Sequence, residues 1–416
     1  MSEPKRNIPL LRLAWRNTRR NTRRTLLTVA AVAVAVAASI FALAYVNGIL
    51  DNMLDTYART ESGHVRLRAE GYSKRERSLP LHHNLPHLSE TLAALRAQPG
   101  VKEALPRIRT MVLVDGVDAN RPGLLLGVDL AREEGYLNPA AMVTAGRLPR
   151  AGYAELMVGR DFARKLEVGV GDTLTLLGQT SYRSLGGLRA TVTGLATTGL
   201  GHLDATLLLT SLDQVQAMTD LPDATTEILV FADDFERADT LAAALARAVQ
   251  PVLGSTVEVL SWKDQGPLIR MIETTKPLMG VVLFILLLMA SLVIVNTMLM
   301  TVMERTQELG MLAALGMRRN NIVSLIVAEG AVIGLIGAVI GGVLATGVSI
   351  WLEHTGIDMT AAARSTTMPF QGIVYPDWKL IYTLAGLFLG TLTAALAALY
   401  PAWRASRQKP AEALRP

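Results

Sequence analysis

Apolar residues gather into four long runs, at about 25–50, 277–302, 322–352 and 380–400, with polar stretches between them. Each run is long enough for a helix to cross a bilayer, which takes roughly 20 residues. The pattern predicts four transmembrane helices. The third run exceeds a straight crossing, so tilt or projection beyond the bilayer is expected. Arginines precede the first run, as in a signal peptide, but a cleavable apolar region covers only about 7–15 residues. A retained anchor is therefore expected.

The stretch 51–276 has a different texture. It mixes short alternating segments with turn residues. Helices are predicted over 88–97, 161–166, 211–218 and 237–249, and strands over 107–114, 124–128, 155–158, 173–177, 188–195, 207–210, 228–231 and 257–260. Asp115-Gly116 and Gly169-Val170-Gly171-Asp172 supply turns. Ser211 is placed to cap the helix that follows it. The fold class is an α-helical membrane protein of four transmembrane helices, with a large α+β extracytoplasmic domain inserted between the first and second. Two lobes are expected in that domain, one from 51–150 with 221–276, the other from 151–220.

Charge orients the chain. Half the residues are hydrophobic and the formal net charge is only +5, so the distribution matters more than the total. The leader 1–24, the segment 303–321 and the tail 401–416 hold 15 basic and 4 acidic residues together. The large loop holds 24 basic and 28 acidic, and the loop 353–379 holds 2 and 3. By the positive-inside rule both termini and the middle segment are cytoplasmic, with the large loop outside. The basic leader suits anionic lipid headgroups. Without cysteine there is neither a disulfide nor a thiolate metal site.

Candidate chemistry is sparse. His82, His83 and His87 fall within six residues but sit in a Pro-flanked loop, which reads as solvated rather than metal-binding. Asp115, Asp118 and Asp129 read as turn residues. No nucleophile elbow, zinc-protease motif or phosphate loop is present, so any ATP and Mg belong to another polypeptide. The segment 303–321 is too polar for lipid and too apolar for an idle loop. Leu309, Leu312, Ala313 and Leu315 share roughly one helical face, and Gly316 is a helix stop. A short amphipathic helix is predicted, resting on headgroups or docking into a cytoplasmic partner. In the third run Gly330/Gly334 and Gly337/Gly341 have small-xxx-small spacing, suited to packing within the subunit or across a dimer. Glu329 lies about two turns inside that run, where it reaches water or a basic side chain.

Read in order, several motifs resemble the FtsX-like permeases of ABC transporters, the MacB type included. They are Ala14-Trp15-Arg16-Asn17 with Arg23-Arg24-Thr25-Leu26-Leu27-Thr28; Val158-Gly159-Arg160 through Leu166 to Gly169 and Leu174; Glu304-Arg305-Thr306-Gln307-Glu308-Leu309-Gly310 with Ala314-Leu315-Gly316; and Tyr400-Pro401-Ala402-Trp403-Arg404-Ala405-Ser406-Arg407 with Pro410-Ala411-Glu412-Ala413-Leu414-Arg415. The resemblance implies that Glu304, Arg305, Glu308, Leu309, Gly310, Ala314, Leu315 and Gly316 belong to a helix that couples to a separate ATPase dimer. It further implies a second permease copy or homologue, no catalysis by this chain, an inner-membrane location and mechanical transmission to a periplasmic core domain. Nothing points to nucleic acid. Gly63-His64-Val65-Arg66-Leu67 with Gly71-Tyr72, and Ser261-Trp262-Lys263-Asp264, resemble the lipoprotein-releasing branch, where a periplasmic carrier or adaptor is a further partner. The alternatives are a drug or peptide exporter, a regulator that activates a periplasmic hydrolase, and a secondary transporter.

Overall fold

A computed structural model describes residues 22–115, 120–254, 257–264, 266–359 and 372–407. The chain divides into a helical unit (1–51, 273–357 and 375–416) and an α/β unit (52–272 and 358–374). Most of the leader, Asp118 and the tail beyond Arg407 lie outside the described residues.

The helical unit is built on α1 (Thr22–Tyr57), which runs on into the α/β unit. Four helices among the described residues are long and apolar enough to cross a membrane. Their cores match the predicted runs, but two extend further. α1 reaches Tyr57, and the second of the four begins at Gly266, well before 277. The third spans Arg319–Thr355 and the fourth Leu380–Ala397, with a bend before Leu399–Ser406. The glycines of the third helix admit its neighbours. A Cβ on Gly330 or Gly334 would lie 2.6 or 2.3 Å from a methyl of Ala398 or Ala394 in the fourth helix and its extension. On Gly337 or Gly341 it would lie 2.7 Å from Val32 Cβ or 2.3 Å from the Ala33 carbonyl of α1. The stripe is thus occupied within one chain, by two different helices. The second long helix has a quite different surface. It buries Ala290, Ile294, Met298 and Val302 and leaves Phe284, Leu288 and Leu292 exposed.

The α/β unit adds β1 (Val65–Ala69), α2 (Leu88–Arg96), β2 (Val101–Val114), β3 (Arg121–Val128), α3 (Pro139–Met142), β4 (Val143–Gly146), β5 (Glu155–Gly159), α4 (Arg160–Leu166), β6 (Thr173–Gln179), β7 (Leu185–Ala196), α5 (Gly201–Asp204), β8 (Leu207–Ser211), α6 (Leu212–Thr219), β9 (Glu227–Ala232), α7 (Ala238–Leu253) and β10 (Val257–Ser261). The strands form one mixed sheet in the order β10-β1-β9-β2-β3-β8-β5-β7-β4. β6 pairs with both β7 and β2, so six strands close on themselves as a small barrel. Its core holds Val112, Val114, Leu125, Leu156, Val158, Leu174, Leu176, Val192 and Leu208, with Phe162 and Val215 from the helices. A second core lies under α2 and α7 and takes Val65, Leu67, Ile228 and Val230 from β1 and β9.

The two cores share one sheet, because the 14-residue β2 serves both: Ala104 enters one, and Ile108 and Val112 enter the other. One feature departs from expectation. Ser211 stands at the N-cap of α6 but makes no capping bond through its buried hydroxyl. The two segments likened to the lipoprotein-releasing branch are neighbours. Val65 pairs with Ser261, and the Trp262 amide donates to the His64 carbonyl at 3.0 Å.

Candidate functional site

The second long helix, α8 (Gly266–Glu304), stops where its apolar run gives way to Glu304-Arg305-Thr306. Arg305 leaves helical geometry (φ −102°, ψ 15°), and a nine-residue helix, α9 (Thr306–Ala314), starts after it. The Arg305 carbonyl accepts the first bond of α9, from the Leu309 amide at 2.9 Å. The far end is closed by two interlocking bonds, Gly316 amide to Ala313 carbonyl (3.1 Å) and Met317 amide to Leu312 carbonyl (3.0 Å). This pattern requires a left-handed residue at Gly316, whose φ is +92°. Arg318 then leads into α10 (Arg319–Thr355).

A nine-residue helix is not stable in water by itself, so docking must hold α9. Its inner side buries Leu309 with Val302, Ile322, Ile326, Ala402 and Ala405, and Leu312 and Ala313 pack at the margin. Ala402 and Ala405 lie on α12 (Leu399–Ser406), which follows α11 (Leu380–Ala397).

Ion pairs do the rest. Arg305 Nη1 donates to both oxygens of Glu329 at 3.1 and 3.2 Å, and its Nε donates to Glu308 at 3.1 Å. Glu329 is only 5% exposed. An isolated carboxylate there would be costly, and the guanidinium offsets that cost. Glu304 pairs with Arg24 of α1 at 2.6 Å. One arginine therefore links the break before α9 to the interior of α10.

The sequence-predicted residues divide accordingly. Leu309 and Gly310 face inward. Ala314, Leu315 and Gly316 face outward, and Leu315 is 80% exposed rather than on the buried face. Met303 and Met311 share the exposed side with Leu315. Met311 and Leu315 thus leave apolar surface of α9 uncovered, and Gln307, Arg318 and Arg319 are exposed as well. The reading of Glu329 lacked its partner. A lone carboxylate in an apolar helix calls for a cation at its own end, and Arg305, Arg318 and Arg319 were the nearest candidates along the chain. Elsewhere the His82 and His83 rings stand 4.4 Å apart, and His87 starts α2 in left-handed geometry. Among the described residues no three His, Cys, Asp or Glu side chains converge as metal ligands.

Comparison with known proteins adds two family matches. Residues 25–248 match the MacB-like periplasmic core domain and residues 280–410 match the FtsX-like permease C-terminal region. The lipoprotein-releasing system transmembrane protein LolC of Xylella fastidiosa (strain 9a5c) is 26% identical over 341 residues, covering 78% of this chain and 80% of that protein. The macrolide export ATP-binding/permease protein MacB of Bdellovibrio bacteriovorus is 31% identical over 144 residues, covering 34% of this chain and 20% of that protein. The ABC transporter permease YtrF of Bacillus subtilis is 33% identical over 140 residues, covering 34% and 30% respectively.

Proposed function

The chain belongs to the family of FtsX-like permeases with a MacB-like periplasmic core domain, and from that premise we propose that it is the membrane subunit of an ABC transporter, driven by a separate ATPase. In this reading the four long helices cross the inner membrane, both termini are cytoplasmic, and the α/β unit is periplasmic. ATP and Mg are bound by the ATPase dimer, and this chain catalyses no reaction. A second permease, identical or related, completes the assembly.

The observation that carries the reading is α9. It is a short helix between two long apolar ones, closed at its C-terminal end by a left-handed glycine, pinned by Arg305 to Glu329, and with Met311 and Leu315 exposed. Such a helix suits a groove on a cytoplasmic partner. Headgroups alone would account for exposed apolar side chains, but not for a buried ion pair that fixes the orientation of the helix. Few polar side chains lie along the four apolar helices, which favours motion relayed to the periplasmic side over a hydrophilic pore.

For the substrate we favour lipoproteins or other lipidated molecules extracted from the membrane. The likeness to the lipoprotein-releasing protein runs through most of both chains, whereas the likeness to the macrolide exporter covers a third of this one. Glu308→Lys tests the coupling role, because it sets a cation beside Arg305. We expect the ATPase to be lost from a mild-detergent pull-down while the α/β unit keeps its fold. Normal ATPase recovery and stimulation would remove α9 from this role. Depletion followed by lipoprotein fractionation tests the substrate. Unchanged sorting with raised drug sensitivity points to an exporter, and co-purification of an envelope hydrolase points to a regulator.

A further inference from the structure

The sheet face opposite α2 and α7 is charged. Arg66 and Arg68 alternate with the core residues Val65 and Leu67 along β1. Glu227 of β9 is in register with Arg68 on one side and Arg107 of β2 on the other. Arg107 is completely buried. Its own carbonyl is fastened by the hydroxyls of Thr225 and Thr226, at 2.7 and 3.1 Å.

Onto this face comes the end of α1. After Tyr57 the backbone widens into a π-type turn over Ala58–Ser62, closed by the Gly63 amide on the Ala58 carbonyl at 2.8 Å. A helix end leaves carbonyls without partners and gathers partial negative charge. Three of these carbonyls are taken by arginines. Arg107 Nη2 donates to the Arg59 carbonyl and Nη1 to the Thr60 carbonyl, both at 2.7 Å. Arg66 Nη1 donates to the Glu61 carbonyl at 3.2 Å. From behind, Glu133, also completely buried, grips Arg107 in a two-bond fork at 2.6 and 2.9 Å and accepts the Leu137 amide at 3.2 Å.

A buried guanidinium–carboxylate pair adds little stability over apolar side chains of the same volume. What apolar groups cannot supply is a directional hold on two adjacent carbonyls. We propose that Arg107, set by Glu133 and assisted by Arg66, is a positioning residue that fastens the end of α1 to the sheet, so that displacement of the helix moves the sheet and does not fray the helix end. The proposal rests on the permease reading and identifies where motion enters the α/β unit.

The test uses the full chain with its co-purified ATPase in lipid nanodiscs. A fluorophore on Tyr182→Cys, an exposed barrel position in a chain free of cysteine, reports ATP-driven movement. In Arg107→Met, amide exchange over 58–63 is expected to quicken about tenfold or more while β5 to β8 stay protected. The ATP-dependent fluorescence change is expected to drop about tenfold, with ATP turnover within about twofold of the unmodified protein. The double variant Arg107→Met/Glu133→Met separates fastening from simple stability. It is expected to regain part of the melting temperature lost in the single variant, because both buried charges are gone, yet to leave the fluorescence change lost. Unchanged exchange over 58–63 would overturn the proposal, as would recovery of the movement together with the melting temperature. Should Arg107→Met fail to fold, Glu133→Gln is read by the same measurements and judged by the same outcomes. If the unmodified protein shows neither an ATPase nor an ATP-dependent signal, the permease reading fails, and the exchange measurement judges the fastening independently.

Discussion

Replacing Arg305 with Met takes the cation from a carboxylate that is 5% exposed and leaves the apolar stem in place. Removing one partner of a fully buried pair costs about 3–5 kcal/mol. Arg305 keeps a fifth of its side chain in solvent, and its second partner Glu308 is more exposed still, so about 2–3 kcal/mol is the appropriate figure here. That loss falls on the docking of α9, since nine residues cannot hold a helix unaided. A deficit of this size shifts the docking equilibrium by roughly 30–150-fold. Amide exchange over 309–317 in detergent-solubilised protein reads the shift directly, and stimulation of ATP turnover by the permease reads its consequence. Glu329→Leu alone should cost less, because Arg305 keeps Glu308 and a fifth of its side chain in solvent. The double variant Arg305→Met/Glu329→Leu should recover at least about 2 kcal/mol relative to the sum of the singles, because neither charge is left unpaired. If the double variant loses as much as the two singles added together, the ion pair does not hold α9 and the reasoning is refuted.

Other perturbations follow from the same geometry. Gly341→Leu should force α1 from α10 and lower the melting temperature, at a cost of about 1–3 kcal/mol or more, while Gly347→Ala, which meets nothing within 4 Å, should be neutral or slightly stabilising in the same thermal melt. Met311→Asp with Leu315→Asp should weaken ATPase association about tenfold or more in a binding titration, without lowering the melting temperature of the permease, since both side chains are exposed. Burial by itself raises the Glu227 carboxyl, but the neighbouring Arg109, Arg68 and Arg66 outweigh it and hold the group at about 2. With the folded value below the ordinary 4.5, its stabilisation is complete above about pH 4.5 and drains away as pH falls toward 2. Glu227→Gln should lower stability at pH 7 and flatten that acid loss, as measured by amide exchange of β9.

The sequence by itself determined the elements whose causes are local. An apolar run of membrane length satisfies its backbone within its own helix, so α10 and α11 could be read from hydropathy alone. The stop at Gly316 was legible because a left-handed cap follows from residue type. Most strands announced themselves by alternation and turn residues, as β6 does with Leu174 and Leu176 inward and Thr173 and Leu177 outward. Only the tertiary structure decided what lies between such elements. Arg68 meets Glu227 across 159 residues, and Arg305 meets Glu329 through the antiparallel return of a helix. β2 unites two cores because its first half pairs with β9 and its second with β3 and β6, segments far apart in the chain. The same holds for the neighbours of the glycine stripe and for the failure of Ser211 to cap. Propensity and hydropathy act over one to a few turns of chain, whereas partner choice is a competition among distant segments for the same buried surface.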